Sequence, residues 1–291
     1  MASRMNAPIR MRVMLESDLP FADSLRSLAG WNQTLDDWSR FLAMQPEGCF
    51  LAEWDGAQAG TATTVVYGSD LAWIGMVLVH PNFRRRGVGR ALLLRCIEHL
   101  QGLKIKCIKL DATPEGRTVY EKLGFKEEWS LRRWEADVAT VVCASTDCSI
   151  RAWEWADAAR LDSRDAQAFG TPRRGLISAL ARQSHCVLTC ERAGDGETGY
   201  GFLRKGSRAS YLGPVVAANC RDGIALIEAL LAQAGESRVF WDIPDLNLAA
   251  VDCATRHGFA VQRSLTRMRL GENCCTGNPL QQFAIAGPEL G

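Results

Sequence analysis

The chain has 291 residues, of which 47% are hydrophobic and 23% charged, and its formal net charge is only +1. These values are typical of a globular protein of about two domains. The near-neutral charge argues against broad binding of nucleic acid, and no apolar run approaches the roughly 20 residues of a membrane span. No apolar signal-peptide core follows the first arginines, so we expect no secretion signal.

The cysteines and histidines give no metal or disulfide pattern. Eleven cysteines are present without a Cys-x-x-Cys pair, and the four histidines are not at ligand spacing. We therefore expect no structural metal, and reduced thiols favour a cytoplasmic protein.

In chain order, the hydrophobic pattern of the first half alternates between strands and helices. Strands are predicted over residues 9–14, 48–54, 59–67, 71–79 and 106–111, and helices over residues 18–29, 34–43, 88–101 and 115–123. The apolar residues of helix 88–101 share one face, which should cover a sheet. This order predicts an α/β fold with a mixed (α+β) sheet.

An arginine-rich loop joins strand 71–79 to helix 88–101, and it contains Gly87 and Gly89. The first N–H groups of a helix lack intrahelical partners and carry the positive end of the dipole, so they bind anions. The glycines let a ligand approach the backbone closely. The spacing fits neither a Rossmann nor a Walker loop. The loop therefore predicts a pyrophosphate site, with a solvated basic patch as the alternative.

The run Arg84-x-x-Gly87-x-Gly89, preceded by Val77-x-Val79-x-Pro81, resembles the R/Q-x-x-G-x-G/A signature of the GNAT superfamily of acyl-CoA-dependent N-acetyltransferases. In that family the loop amides hold the pyrophosphate of coenzyme A. The resemblance implies acetyl-CoA as the cofactor. It also implies cofactor contacts for the strand end, the loop and one later residue: Val77, Leu78, Val79, Arg84, Arg85, Arg86, Gly87, Val88, Gly89, Arg90 and Thr113.

Residues 110–125 resemble a later GNAT motif, in which a helix carries a tyrosine ahead of a Gly-Phe pair. The resemblance implies that Tyr120 protonates the departing thiolate. It also implies that a backbone N–H near Val79 stabilises the oxyanion, because family members splay this strand at a bulge. The general base stays open, since residues 71–79 contain no acid. The candidates are a water chain or one of Asp37, Glu53, Asp70 and Asp111.

The chain also repeats itself. Three segments recur in the same order, which resembles two GNAT-like domains in tandem. The matched segments are residues 9–18 with 150–157 (Arg10 set against Arg151), 73–77 with 211–215, and 110–125 with 241–259. We expect a catalytic, acetyl-CoA-binding domain over residues 1–140, a degenerate copy over 150–272, and an irregular tail over 273–291.

The second copy lacks the arginine cluster, and Asp222 in its shortened loop would repel a pyrophosphate. We therefore expect only the first half to bind coenzyme A, while the second closes the acceptor cleft. Polar and aromatic residues are candidates for binding the acceptor, with core packing or helix capping as the alternative. These candidates are Trp31, Asn32, Asp37, Trp73 and Asp242.

The leading hypothesis is an enzyme that moves an acetyl group from acetyl-CoA to a small-molecule primary amine by direct attack in a ternary complex. We expect a monomer or homodimer with no nucleic-acid or membrane partner. An acidic pocket would favour polyamines or aminoglycosides, and an arginine-lined pocket would favour amino acids. One alternative is a non-catalytic acyl-CoA sensor, which Tyr120 argues against. The other is a peptide N-terminal acetyltransferase, whose groove the second domain should narrow.

Overall fold

The computed structural model describes residues 9–138, 148–194, 196–235 and 237–291. Within these ranges, thirteen strands join into one continuous mixed sheet. The α/β fold class is therefore confirmed. The proposed domain boundary near residues 140–149 falls largely outside the described residues and stays a prediction.

The first half contains every predicted strand and helix, each within two residues of its predicted bounds. Its strands are β1 Ile9–Val13, β2 Cys49–Trp54, β3 Ala57–Tyr67, β4 Leu71–Val79, β5 Cys107–Ala112 and β6 Lys126–Val138. Its helices are α1 Leu19–Leu28, α2 Leu35–Met44, α3 Val88–Gly102 and α4 Pro114–Lys122.

The second half follows a similar order. Its strands are β7 Ser149–Ala152, β8 Ser184–Arg192, β9 Gly196–Arg204, β10 Ser210–Ala217, β11 Ser237–Pro244, β12 Ala260–Gly271 and β13 Gln282–Ala284. Its helices are α5 Asp157–Arg160, α6 Asp162–Phe169, α7 Arg174–Gln183, α8 Cys220–Ala234 and α9 Leu248–Arg256.

The two halves exchange strands. The order across the sheet is β1-β2-β3-β4-β5-β12-β6-β11-β10-β9-β8-β7, and β13 pairs with β10. The second half thus supplies β12 to the edge of β5, while the first half supplies β6 to β11. Neither half has a complete sheet of its own, so the halves form one structural unit.

Equivalent ion pairs at the two junctions support the repeat. Arg267 on β12 donates two hydrogen bonds of 2.9 Å to Asp111 on β5. Arg133 on β6 makes the matching two-bond pair with Asp242 on β11. Asp111 and Asp242, which the sequence repeat matches, therefore occupy equivalent positions in the two halves.

The first segment of the repeat needs a correction. Arg12 pairs with Asp18, six residues later, through two hydrogen bonds. Arg151 makes the same pair with Asp157. Arg12 is therefore the equivalent of Arg151, and the pairing of Arg10 with Arg151 was wrong by two residues. A shift of two preserves which face of a strand a side chain occupies, so the sequence pattern could not detect it.

Strand β4 bends away from β5 in the middle of the sheet. Met76 has φ of 50°, and the register with β3 shifts between Thr61 and Thr63. This is a β-bulge, which bends the strand that carries it. Strands β4 and β5 pair only over residues 71–73 and 107–109. A gap therefore opens between the two strands after Trp73.

The C-terminal tail packs against the sheet, although Gln282–Ala284 is the one strand in its described residues. The expectation of an irregular tail over residues 273–291 stays a prediction. Phe283 and Ile285 are fully buried. Strand β13 pairs with β10, while the Ile285 N–H donates to the Asp242 carbonyl on β11. The tail thus fills the gap between β10 and β11. Burial of its apolar side chains offsets the entropy lost on ordering the segment.

Helices cover both faces of the sheet. Helix α3 packs on the first half, α8 and α9 pack on the second, and a central core joins α1 and α2 to α6 and α7. Central-core residues from the two halves include Trp38, Phe41, Trp73, Phe169, Tyr200, Phe202 and Leu290.

No helix in the described part of the chain is long and apolar enough to cross a membrane.

Candidate active site

The glycine loop leads directly into the N-terminus of α3. Gly87 precedes α3 with φ of +85°, a left-handed conformation that favours glycine. A Cβ built on Gly87 would meet no atom within 4 Å, so the space in front of the loop is open. The Arg84 side chain donates to the Val79 carbonyl at 3.2 Å, which ties the loop to the end of β4.

The loop offers an anion both backbone donors and charge. The first hydrogen bond of α3 runs from the Ala91 N–H to the Gly87 carbonyl. The N–H groups just before Ala91 therefore have no acceptor within the helix and can bind an anion. Val88 is buried in the core of the first half, so its side chain is not available to a ligand. The arginine side chains of the loop are exposed and make no ion pair within the described residues; they are Arg84, Arg85, Arg86 and Arg90.

The gap between β4 and β5 opens into a small cavity of about 80 Å³. Residues from both halves and from the tail line it, so the site is assembled by the whole chain. The residues that line it are Trp31, Gln33, Ile74, Gly75, Met76, Val77, Leu110, Asp111, Thr113, Tyr120, Arg263, Leu265, Pro288 and Glu289.

Helix α4 holds Tyr120 against this cavity. Burial raises the pKa of Tyr120 to about 12, so the phenol is protonated at neutral pH. Its ring lies 6.0 Å from the ring of Phe125. Thr113 lines the same cavity, and its hydroxyl caps α4 by accepting from the Gly116 N–H at 3.2 Å. The two motif residues that the sequence singled out in this segment therefore lie together.

The bulge in β4 lies earlier than Val79. It falls at Met76, while the His80 N–H still bonds to the Ala59 carbonyl at 2.9 Å. Alternation in an antiparallel ladder then turns the backbone groups of Val79 away from β3, toward the gap. Val77 lines the cavity directly. The role of Val79 as oxyanion donor stays a prediction.

Three of the predicted acceptor residues lie in the α1–α2 connection or in α2, and their side chains have different surroundings. Trp31 lines the cavity. The Asn32 side chain instead accepts from the Ala209 N–H at 3.0 Å and so joins the halves. The Asp37 carboxylate caps α2 at Thr34 and pairs with Arg40. Asn32 and Asp37 therefore have structural partners.

The other two predicted acceptor residues, Trp73 and Asp242, do not line the cavity. Trp73 is 1% exposed, and its indole N–H donates to the Pro288 carbonyl at 3.0 Å. Asp242 is fully buried and accepts from Arg133 and from the Tyr211 hydroxyl. This placement argues against acceptor binding, and the local sequence could not reveal these distant partners.

The four carboxylates considered as bases all have cationic partners. Beyond the Asp37–Arg40 pair, Glu53 binds Arg12 at 2.9 Å and Asp70 binds Lys106 at 2.8 Å. Asp111 lines the cavity, but both of its oxygens accept from Arg267. None is therefore free to accept a proton without breaking an ion pair.

Glu289 is a carboxylate at the site that sequence reasoning missed. It lies in the tail, lines the cavity and accepts from the Gln33 amide at 2.7 Å. Burial raises its pKa, and the nearby charge of Asp37 adds to the effect. No local signal identified Glu289, because it lies in an irregular segment far along the chain from the motifs.

The equivalent groove of the second half is closed. The Phe283 ring would lie 2.5 Å from a Cβ built on Gly223, at the start of α8. Asn219 caps that helix by accepting from the Asp222 N–H, and the Asp222 carboxylate pairs with Arg192 at 2.7 Å. The tail and these caps thus occupy the place where the first half has an open loop.

Two groups of potential metal ligands lie elsewhere in the second half. They are Cys148 with Cys190 and Asp222, and Glu228 with Cys253 and His257. None of these residues lines the cavity. The expectation that the site uses no metal stays a prediction.

Comparison with known proteins identifies the family. A model of the acetyltransferase (GNAT) family matches residues 15–125, and one of an acetyltransferase (GNAT) domain matches residues 161–284. The chain therefore belongs to the GNAT acetyltransferases, a family of acyltransferases, with two GNAT domains in tandem. The predicted family and tandem arrangement are confirmed.

Individual relatives agree with this assignment. An uncharacterized N-acetyltransferase of Bacillus subtilis (strain 168), YitH, is 29% identical over 191 residues, which are 65% of this chain and 66% of YitH. The structure of a proposed acetyltransferase from Pyrococcus horikoshii has a TM-score of 0.82 at 21% identity, covering 100% of this chain and 99% of that one. A tandem GNAT protein from the clavulanic acid biosynthesis pathway has a TM-score of 0.67 at 14% identity, covering 91% and 98%. The two structures show a shared fold.

Proposed function

We propose that the protein is an N-acetyltransferase that uses acetyl-CoA and acetylates a primary amine of a small molecule. One observation carries this proposal: the gap between β4 and β5 ends at the cavity that Tyr120 lines. The open glycine loop follows the C-terminal end of β4, a few residues beyond those that line the cavity. This arrangement fits a long ligand with a diphosphate at the loop and a thioester beside the phenol.

The residues at the cavity fit the chemical demands of acyl transfer. Acetyl-CoA supplies an activated acetyl group as a thioester. The backbone N–H of Val79 is the candidate donor to the carbonyl oxygen as negative charge develops there. Tyr120, protonated at neutral pH, is the candidate acid that donates a proton to the thiolate. The loop arginines offset the charge of the diphosphate.

Calorimetric titration with acetyl-CoA tests the loop. Gly89→Glu places a carboxylate and extra bulk at the start of α3, so we expect no measurable binding. Gly89→Ala is the matched control, because a Cβ there meets only the Val79 side chain, at 3.5 Å, and should preserve binding. Unchanged affinity of the Gly89→Glu protein would remove the loop from the proposed site.

Thiol release from acetyl-CoA across a panel of amines separates an enzyme from a sensor. We expect turnover with at least one class of small amine. The absence of an acidic residue from β4 favours a sensor, but Glu289 places a carboxylate at the cavity and so supports an enzyme. Tight acetyl-CoA binding without turnover of any amine would favour the sensor.

A further inference from the structure

The tail fixes Glu289 beside the bulge of β4. A Cβ built on Gly75 would lie 2.8 Å from the Glu289 carbonyl oxygen, so the backbones of the tail and of β4 are in close contact there. The Tyr67 hydroxyl donates to the Leu290 carbonyl at 2.8 Å, and the Trp73 indole donates to the Pro288 carbonyl. Residues on both sides of Glu289 are thus held by β3 and β4. The carboxylate has a defined position rather than that of a loose terminus.

The polar atoms around Glu289 suit an ammonium group. Its carboxylate makes no ion pair within the described residues, and its side-chain partner is the Gln33 amide, at 2.7 Å. The other amide atom of Gln33, Oε1, is buried and has no hydrogen-bond partner. An unsatisfied buried acceptor is costly, so a bound N–H donor would be favoured at this place.

Arg263 presents an unpaired cation to the same cavity. It lies on β12, is partly buried, and makes no hydrogen bond or ion pair with the described part of the chain; its buried Nε is also without a partner. Burial lowers its pKa to about 10, and the charge of Arg133 adds to the effect. Arg267 is already paired with Asp111, whereas Arg263 lines the cavity without an ion pair to any described residue, although the charges of Asp242 and Glu289 partly oppose the lowering of its pKa. A buried charge without a partner favours a ligand that supplies one.

We infer that the acceptor is a primary amine that also carries a carboxylate, such as an amino acid; this inference rests on the proposed function. Glu289 and Gln33 receive its ammonium group, and Arg263 binds its carboxylate. Glu289 and Arg263 line one cavity without pairing with each other, so an acceptor with both charges can bridge them. Polyamines and aminoglycosides would need further free carboxylates, but Asp111 and Asp37 are already bound to arginines.

In this site Glu289 is the general base. It takes one proton from the ammonium group and later releases it to solvent. The amine nitrogen then forms a bond to the acetyl carbon as the carbon–sulfur bond breaks. Tyr120 gives its proton to the sulfur and regains one from the nitrogen as the amide forms. The products are the N-acetyl amino acid and coenzyme A, with one proton released.

Matched acceptors test the carboxylate site. Thiol release is measured with amino acids and with the corresponding amino acid amides, which keep the amine and lose the negative charge. For the wild type we expect kcat/KM to be about 10- to 100-fold higher for the acids, the value of a hydrogen-bonded charge. In Arg263→Met this ratio should fall to about one, while thermal stability is kept or increased. Arg174→Met removes an exposed arginine outside the cavity and should preserve the ratio.

A second variant tests the base. Glu289→Gln keeps the shape of the side chain and should lower kcat at neutral pH about 10²- to 10⁴-fold, with little change in acetyl-CoA affinity. Its rate should recover as pH rises toward the pKa of the free amine. In the wild type, activity should be lost as pH falls through the raised pKa of Glu289. Burial and the charge of Asp37 raise that pKa, whereas the charges of Arg204 and Arg133 lower it.

The outcomes are distinct. Equal rates for acids and amides, a preference for polycationic amines, or an acid preference that survives Arg263→Met would overturn this inference and leave the proposed function intact. A Glu289→Gln enzyme with full kcat and an unchanged pH profile would remove Glu289 as the base. Absence of turnover with every amine would overturn both the proposed function and the inference.

Discussion

Tyr120 shows how position gives a common side chain a particular chemistry. The same burial that packs it beside Phe125 raises its pKa to about 12 and keeps its proton in place. A thiolate needs such a donor as the carbon–sulfur bond breaks, because the leaving group carries the developing negative charge. Packing and the proposed catalytic role therefore depend on the same contacts.

We predict that Tyr120→Phe lowers kcat about 10²- to 10⁴-fold, the range for loss of a general acid, while acetyl-CoA affinity changes little. The phenol is protonated below its raised pKa and would lose its proton only near pH 12. The variant should therefore have a lower kcat at each pH, while the way in which kcat depends on pH stays the same well below pH 12. Steady-state kinetics with calorimetric titration checks both points, and an equal loss of affinity and rate would indicate a packing role instead.

At the same scale, the sequence revealed residues whose role depends on local backbone geometry and missed those that depend on distant partners. Gly87 is predicted because the arginine-rich loop and the helix that it precedes are adjacent in the sequence. Its φ of +85° agrees with the need for glycine there. For Asp242 the sequence leaves acceptor binding and core packing both open, because its partner Arg133 is more than a hundred residues away in the chain. Glu289 could not be found, because only the folded tail brings it to β4.

At the scale of elements, the exchanged strands are joined by charge as well as by backbone bonds. Arg133 and Asp242 are both essentially buried, at 2% and 0% side-chain exposure, on neighbouring strands β6 and β11. The two charges offset each other's desolvation only while both are present. This pair therefore makes the junction between the halves specific for one register.

We predict that Arg133→Met lowers the free energy of unfolding by about 3–5 kcal/mol, because it leaves Asp242 buried without its counter-charge. Adding Asp242→Leu should restore much of the loss. Arg238→Met is the control: it removes an ion pair with Asp137 on the same two strands, and that pair is exposed, so it should have little effect. Urea unfolding of the four proteins measures these differences, and equal effects of Arg133→Met and Arg238→Met would contradict the prediction.

At the scale of the whole molecule, the tandem repeat explains both the closed groove of the second half and the cavity of the first. The tail closes the gap of the second half with β13 and then continues to the cavity of the first half, where it places Glu289. The second half also supplies Arg263 on β12. The repeat was visible in the sequence, but the strand exchange was not, because each exchanged strand has the same period-2 pattern in either sheet.

The exchange predicts that neither half folds without the other. A fragment ending near residue 140 would carry β6 without its neighbours β11 and β12, and the complementary fragment would carry β12 without β5. Each would expose a long sheet edge and an unpaired buried charge, both of which favour aggregation. We expect each fragment alone to be insoluble or to lack near-ultraviolet circular dichroism, and the two to copurify as a folded complex when expressed together. The intact protein should unfold in a single urea transition, and two separate transitions, or a folded first-half fragment, would show that the exchanged strands do not couple the halves.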